Sequence, residues 1–402
     1  MNTKLYFLYK FVQHLVPVYP VYLLLFEAKG LSVQQISLLL AIWSVPIVLL
    51  EVPTGVLADI WNRRNMLVIG SLCKTAAYLL WFFSEGFFLF AAGFILWGIC
   101  ESFVSGSEEA LLYDSLKLEG EEGTFDRIYG KGNYYERIAV ALSCLSGGFL
   151  AMGLGMKLVL AVSVFFMAVS TLIVLRFHEV NFYAGKSRRK YIEPLRQGIT
   201  TLKDAIKLCT GNKLLFTVIA MFVTVIGVAG ILDEYDSLIA DRFGLNLGLV
   251  GIWTSVRYLL EAFGNRIAYR IKHKLVRFGI KDSFYGIGLV CIIAGVLLGL
   301  SGWFGSIALM PLYGLFYLLM SVAYVMQENY VQQKIEEQGR STVHSVISLV
   351  HNLYAIGFFG LFSFILAGIS ILDVLVIAAG YITALCLLIS LLYHRIKTRA
   401  AA

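Results

Sequence analysis

Apolar runs of roughly 20 residues recur from one end of this chain to the other, with only short polar breaks between them. They fall at about 5–26, 33–58, 66–84, 87–113, 133–154, 157–176, 213–240, 246–270, 283–301, 305–331, 342–368 and 371–393. A helix of about 20 apolar residues crosses the hydrocarbon core of a bilayer, so the pattern predicts about twelve transmembrane helices. The composition, 59% hydrophobic and 15% charged over 402 residues, is too apolar for a soluble protein of this length. The breaks leave no room for a sizeable soluble domain. Lys4 before the first run has the look of a signal peptide. That run is long, however, carries His14, Pro17 and Pro20, and offers no small-x-small cleavage site, so it reads as a retained first helix. The six cysteines are scattered with no C-x-x-C and read as small membrane residues, with no disulfide framework and no metal site.

A net charge of +7 can signal nucleic acid, but here the basic residues sit between the apolar runs and report membrane orientation instead. Lys and Arg cluster before the first run, after the second, fourth, sixth, eighth and tenth, and after the last. The opposite loops hold only Lys29, Lys157 and Arg242, which places both termini in the cytoplasm. The longest polar segment, 177–212, divides a bundle at 1–176 from one at 213–402. In it Leu195, Ile199, Leu202, Ile206 and Cys209 recur at helical spacing opposite Arg196, Lys203 and Lys207. This predicts an amphipathic linker helix on the cytoplasmic leaflet, its basic residues touching lipid head groups.

Between the second and third runs the chain reads EVPTGVLADIWNRRNML, from Glu51 to Leu67. Glycine lets helices approach closely in lipid and Pro53 bends or loosens the helix. An acid beside two arginines can form a network that breaks and remakes. That is the composition of a gate. With Gly55, Leu57, Ala58, Asp59, Arg63 and Arg64 in this order, the stretch resembles the loop between the second and third helices of the major facilitator superfamily of secondary transporters. Glu51, Pro53 and Thr54 match an extended form common among its bacterial exporters. Asn62 stands where that family usually has Gly, and Asn tolerates a left-handed turn. The run Ser105 to Ser115 resembles a segment of Gram-positive members, with Asp114 emerging where it can meet Arg63 or Arg64. Degenerate echoes at Gly264 to Arg270 and Glu328 to Gln333 fall on corresponding helices of the second half. The resemblance implies twelve helices in two six-helix bundles, working by alternating access.

An ionisable side chain near the bilayer centre costs a few kcal/mol, so each one should face a cavity or a partner. On the fourth run Glu101, Ser105 and Glu108 follow at i, i+4 and i+7, forming one polar stripe on one helix. Glu101 is the deepest acid and the first candidate for a coupling carboxylate. The alternative is a permanent pair with Lys74 or Arg137. A second constellation is Asp233 or Glu234 with Arg257, which lies one turn from Glu261; the alternative puts Glu234 and Asp236 in external water. Carboxylates crowded together cannot all ionise freely, so one can hold a proton near neutrality. His14 and His351 are mid-run and can relay protons or simply donate to a neighbour. Tyr19, Tyr22, Trp43, Tyr78, Trp97, Trp253 and Tyr258 are candidates to line a cavity, or to pack and anchor.

No P-loop, H-E-x-x-H or G-x-S-x-G is present, so neither ATP hydrolysis nor another enzymatic reaction is expected, and no cofactor. The reading is a multi-pass transporter of a bacterial inner or plasma membrane, a monomer driven by a proton gradient. Export of a small cationic or amphipathic molecule follows from the extended motif and from the surplus of acids. Two departures count against the exporter form: the fourth run lacks a mid-helix arginine, and Gly147-Gly148 is not preceded by Gly-Pro. Arg137 or Arg257 would then supply the missing charge. An importer or facilitator of a nutrient, metabolite or metal on the same fold, and a sensor or accessory membrane protein, are the alternatives.

Overall fold

The structure is a computed structural model and describes residues 3–181, 200, 203, 207, 210–334, 340–365 and 368–401. Among the described residues every regular element is helical. The chain divides into two compact units, Met1–Ile199 with Leu247–Ile252, and Thr200–Asn246 with Trp253–Ala402. Of the expected linker helix, most lies outside the described residues; Lys203 and Lys207 are exposed.

The first unit contains α1 (Thr3–His14), α2 (Tyr22–Ala28), α3 (Val33–Ile60), α4 (Arg63–Phe83), α5 (Phe87–Val104), α6 (Ser107–Glu119), α7 (Phe125–Leu154) and α8 (Met156–Val174). The second contains α9 (Lys213–Met221), which continues through a π-helical turn, Phe222–Ile226, into α10 (Gly227–Glu234). After these come α11 (Asp236–Arg242), α12 (Leu247–Arg277), α13 (Ser283–Phe304), α14 (Met310–Lys334), α15 (Arg340–Ile365) and α16 (Ile371–Ala401). The start of α12 is counted with the first unit.

Ten helical stretches among the described residues are long and apolar enough to cross a membrane. Two of the twelve runs read from sequence are not among them, each for a visible reason. The run 5–26 is interrupted around Pro17 and Pro20 into α1 and α2, of 12 and 7 residues. The run 246–270 lies in one 31-residue helix, α12, whose apolarity is lowered by Arg257 and Glu261.

The interruption between α1 and α2 frees backbone groups that lipid cannot satisfy. The Val16 N–H donates to Ser143 Oγ at 2.7 Å, and the Val18 N–H to Ser163 Oγ at 3.1 Å. Ser143 donates in turn to the His14 carbonyl at 3.0 Å. Gly147, one turn along α7, faces the Pro17 carbonyl so closely that a Cβ there would lie 2.0 Å from the oxygen. Gly147 of α7 thus seats the broken first span.

The fourth run is interrupted too. The helix ends at Val104 and restarts at Ser107, with Gly106 at φ +72° between them. Such a conformation favours glycine. The expected single polar stripe of Glu101, Ser105 and Glu108 is therefore split, because the two glutamates no longer share a helical phase.

Candidate functional site

The turn between α3 and α4 is a tied-down junction. Arg63 is buried and its guanidinium bonds Asp114 of α6, the Ala110 carbonyl at 3.0 Å and the Ala58 carbonyl at 3.1 Å. Arg64 reaches the Leu175 carbonyl. The backbone N–H groups of Arg63 and Arg64, which have no intrahelical acceptor at a helix start, donate to the Glu179 carboxylate at 3.1 and 2.7 Å. Asn62 is not left-handed as expected. It sits at φ −77° with its side chain accepting from the Asn65 N–H at 2.9 Å, an N-cap. Capping explains why Asn serves there. Gly55 is exposed, with open space where a Cβ would be, so it makes no close helix approach among the described residues. The Asp59 side chain lies outside the described set, and Glu51 is half-buried.

Inside the first unit two charge clusters form. In one, Lys74 of α4 pairs with Glu101 of α5 at 3.2 Å, and Trp97 Nε1 donates to the same carboxylate oxygen at 2.8 Å. The Lys74 ammonium lies 5.0 Å from the Trp97 ring centre and 5.6 Å from that of Tyr19, within cation–π range. Tyr22, Trp43 and Tyr78 pack their rings around Trp97, at 6.1, 5.8 and 5.8 Å between centroids. Lys74 is closed in, whereas the Glu101 side chain is 42% exposed. Of the two partners weighed for Glu101, the structure brings Lys74. Arg137 is exposed on α7.

The other cluster centres on Lys10, a residue the sequence reading passed over. Its ammonium lies 3.0 Å from Glu108 and 2.7 Å from Glu136, and His14 Nε2 stands 3.9 Å from Glu136. Lys10 and His14 are one turn apart on α1. The signal was available: a lysine and a glutamate, Lys10 and Glu136, inside apolar runs carry the same membrane cost as Glu101.

The second unit is built around Arg257, which is 1% exposed. Its guanidinium bonds Asp233, Glu261 and, at 3.1 Å, Asp236. Tyr258 and Tyr317 lie 4.4 and 4.7 Å from the guanidinium carbon. Asp236 also accepts from Trp253 Nε1 at 2.9 Å and is 3% exposed. The alternative that put Asp236 in external water is overturned: the helix breaks at Tyr235, and α11 turns the carboxylate inward onto Arg257. Glu234 is half-buried.

A cavity of about 510 Å³ opens beside this cluster within the second unit. Asp233, Arg257, Glu261, Tyr317, Glu328 and His351 line it, together with the π-helical turn at Phe222 and Ile226. A π turn widens the helix and leaves a carbonyl without its usual partner. Here Tyr354 Oη donates to the Thr224 carbonyl at 3.3 Å. Three carboxylates and one guanidinium among these lining groups give the cavity wall an excess of negative charge. Asp233 and Glu261 are 34% and 27% exposed in their side chains while Asp236 is closed, so two of Arg257's three partners are accessible.

The profile of the Major Facilitator Superfamily matches residues 5–359. No curated protein sequence matches the chain. Among solved structures, the nucleoside transporter NupG aligns with a TM-score of 0.76 at 14% identity, covering 98% of this chain and 99% of its own. A POT family transporter in complex with a thioalcohol-conjugated peptide aligns at 0.70 and 13% identity, covering 98% and 96%. A bacterial homologue of the human lysosomal transporter Spinster, inward-facing and unoccupied, aligns at 0.67 and 14%, covering 98% and 94%. At these identities the likeness is one of fold.

Proposed function

The chain belongs to the major facilitator superfamily and is a multi-pass secondary transporter, and from that premise we propose that it exports a small cationic or amphipathic molecule in exchange for protons. The observation that carries this reading is the acid-rich cavity around Arg257. Asp233 and Glu261 both bond the guanidinium and both face the cavity. Either can leave Arg257 for a ligand cation or a proton while Asp236 keeps the arginine compensated. A ligand cation and protons then compete for the same carboxylates, which is the simplest form of exchange. Tyr324 on the wall is exposed, and an aromatic ring there can hold an organic cation. In this reading the chain spans the membrane twelve times, with α1 to α2 and the first part of α12 as the two spans of mixed polarity. Both termini are cytoplasmic. It acts as a monomer in a bacterial inner or plasma membrane and uses the proton gradient with no bound cofactor.

The test is equilibrium binding of radiolabelled tetraphenylphosphonium to purified protein in detergent. Glu261→Gln and Asp233→Asn are each expected to weaken binding about tenfold, equivalent to about 1.4 kcal/mol. Raising the pH should strengthen wild-type binding, as protons leave the carboxylates. Binding that is indifferent to both substitutions and to pH contradicts the reading. Direction separates export from uptake: inside-out vesicles that are acidified inside should accumulate the probe if the protein exports it, and should not if it imports.

A further inference from the structure

We propose that the first unit holds a proton-binding site of its own, shared between His14 Nε2 and Glu136 Oε1. The argument is one of donors and acceptors. His14 Nδ1 lies 3.0 Å from the Lys10 carbonyl oxygen, which can only accept, so Nδ1 carries the hydrogen. In the neutral ring Nε2 is then a bare acceptor. It faces Glu136 Oε1, another acceptor, at 3.9 Å, while Glu136 Oε2 is held by Lys10 at 2.7 Å. Two lone pairs confront each other with no hydrogen between them. One added proton lets the two atoms close from 3.9 Å to the roughly 2.8 Å of a charge-assisted hydrogen bond.

The charges around the pair agree. On α1 Lys10 is the only other charged neighbour. Opposite it α7 presents Glu136, with the exposed Arg137 beside it and the exposed Lys131 over the Phe7 ring, and α6 presents Glu108, next to an exposed Glu109 that accepts from Tyr129. From farther off α4 and α5 contribute Lys74 and Glu101, which neutralise one another. The remaining helix against α1, α8, has a single charge, Lys157, in its first turn. One ammonium thus faces two carboxylates in a mostly buried cluster, and a single proton balances it. His14 and Glu136 are its accessible members, at 19% and 20% side-chain exposure, against 8% and 10% for Lys10 and Glu108.

Filling the site has a mechanical consequence. His14 and Lys10 sit on the same face of α1, and both address Glu136. Once protonated, His14 bonds Oε1 while Lys10 keeps Oε2 and its contact with Glu108. The proton therefore tightens the tie of α1 to α7, which holds through both oxygens of one carboxylate. The site stands independently of the cavity in the second unit.

The experiment needs no transported substrate. Proton uptake by purified protein is titrated between pH 8 and 5 for wild type, His14→Gln, Glu136→Gln and the double variant, each shown to be folded by its elution volume and circular dichroism. A shared site predicts that each single variant loses about one proton relative to wild type and that the double variant loses the same one, not two. Additive losses, or no loss, overturn the proposal. A wild-type measurement guards against variants that do not fold. In the imidazole ¹⁵N spectrum at alkaline pH, one of the six histidines should be a buried Nδ1–H tautomer; finding every histidine as the Nε2–H tautomer overturns the proposal as well.

Discussion

Lys10 and Arg257 are the two side chains whose surroundings say most about this molecule. Each is a buried cation outnumbered by carboxylates: two around Lys10, three around Arg257. Burying such a cluster costs more than the ion pairs return unless every group is bonded, and breaking it from one side is worse than never having it. Arg257→Ala should therefore destabilise the protein by about 3–5 kcal/mol. The check is thermal unfolding in detergent, where a midpoint equal to wild type would contradict the packing described. The membrane cost of an ionisable group made Arg257, Asp233, Glu261, Glu101, Glu108 and His14 legible as candidates in the bare chain. Lys74 was legible as a partner for Glu101, and Arg257 as one for Asp233 and Glu261, but the partners of Glu108 and His14 were not, because that pairing depends on which helices meet. Glu136 and Lys10 are 126 residues apart yet 2.7 Å from one another. Asp236 looked like a residue at the outer end of a helix until the turn at Tyr235 was seen to carry it back inside.

Helices in this fold carry information mainly where they stop. A hydropathy pattern marks where apolar residues run but is blind to a break inside the run, and three breaks matter here. The first falls at Pro17 and Pro20, inside the run read as one retained helix. Its repair by Ser143 and Ser163 did not show, since serines in apolar runs usually bond their own helix. Gly106 gave little warning of the second, being one of 37 glycines in the chain. The third is the π-helical turn at Phe222–Ile226, for which no sequence rule was available. Gly106→Ala places a Cβ in a positive-φ backbone and should cost about 1–2 kcal/mol. A matched control at Gly123, with φ in the ordinary range and open space around it, should cost less. If both variants melt alike, the fourth span is a continuous helix and the separation of Glu101 from Glu108 fails with it. The motif from Glu51 to Arg64 shows the complementary case. Its residue order identified the family correctly and Arg63 meets Asp114 as expected, while other local roles differ: Asn62 caps a helix, and Glu179, from a distant part of the chain, anchors α4.

Considered as a whole, the chain is two compact helical units, and among the described residues the inward-facing charges of each are collected into clusters. The first unit gathers Lys74 with Glu101 and Lys10 with Glu108 and Glu136; the second gathers three carboxylates on Arg257 beside a cavity. Membership of the major facilitator superfamily supplies the transporter, and the cavity's surplus of acid supplies the proposal that its cargo is a cation exchanged for protons. The most direct test uses proteoliposomes holding a trapped pH dye and the purified protein, with tetraphenylphosphonium applied across an imposed proton gradient and the membrane potential clamped. The account predicts proton movement that begins only when the cation is added and that is abolished in the Asp233→Asn, Glu261→Gln double variant. Proton movement that ignores the cation, or that persists in the double variant, would contradict it.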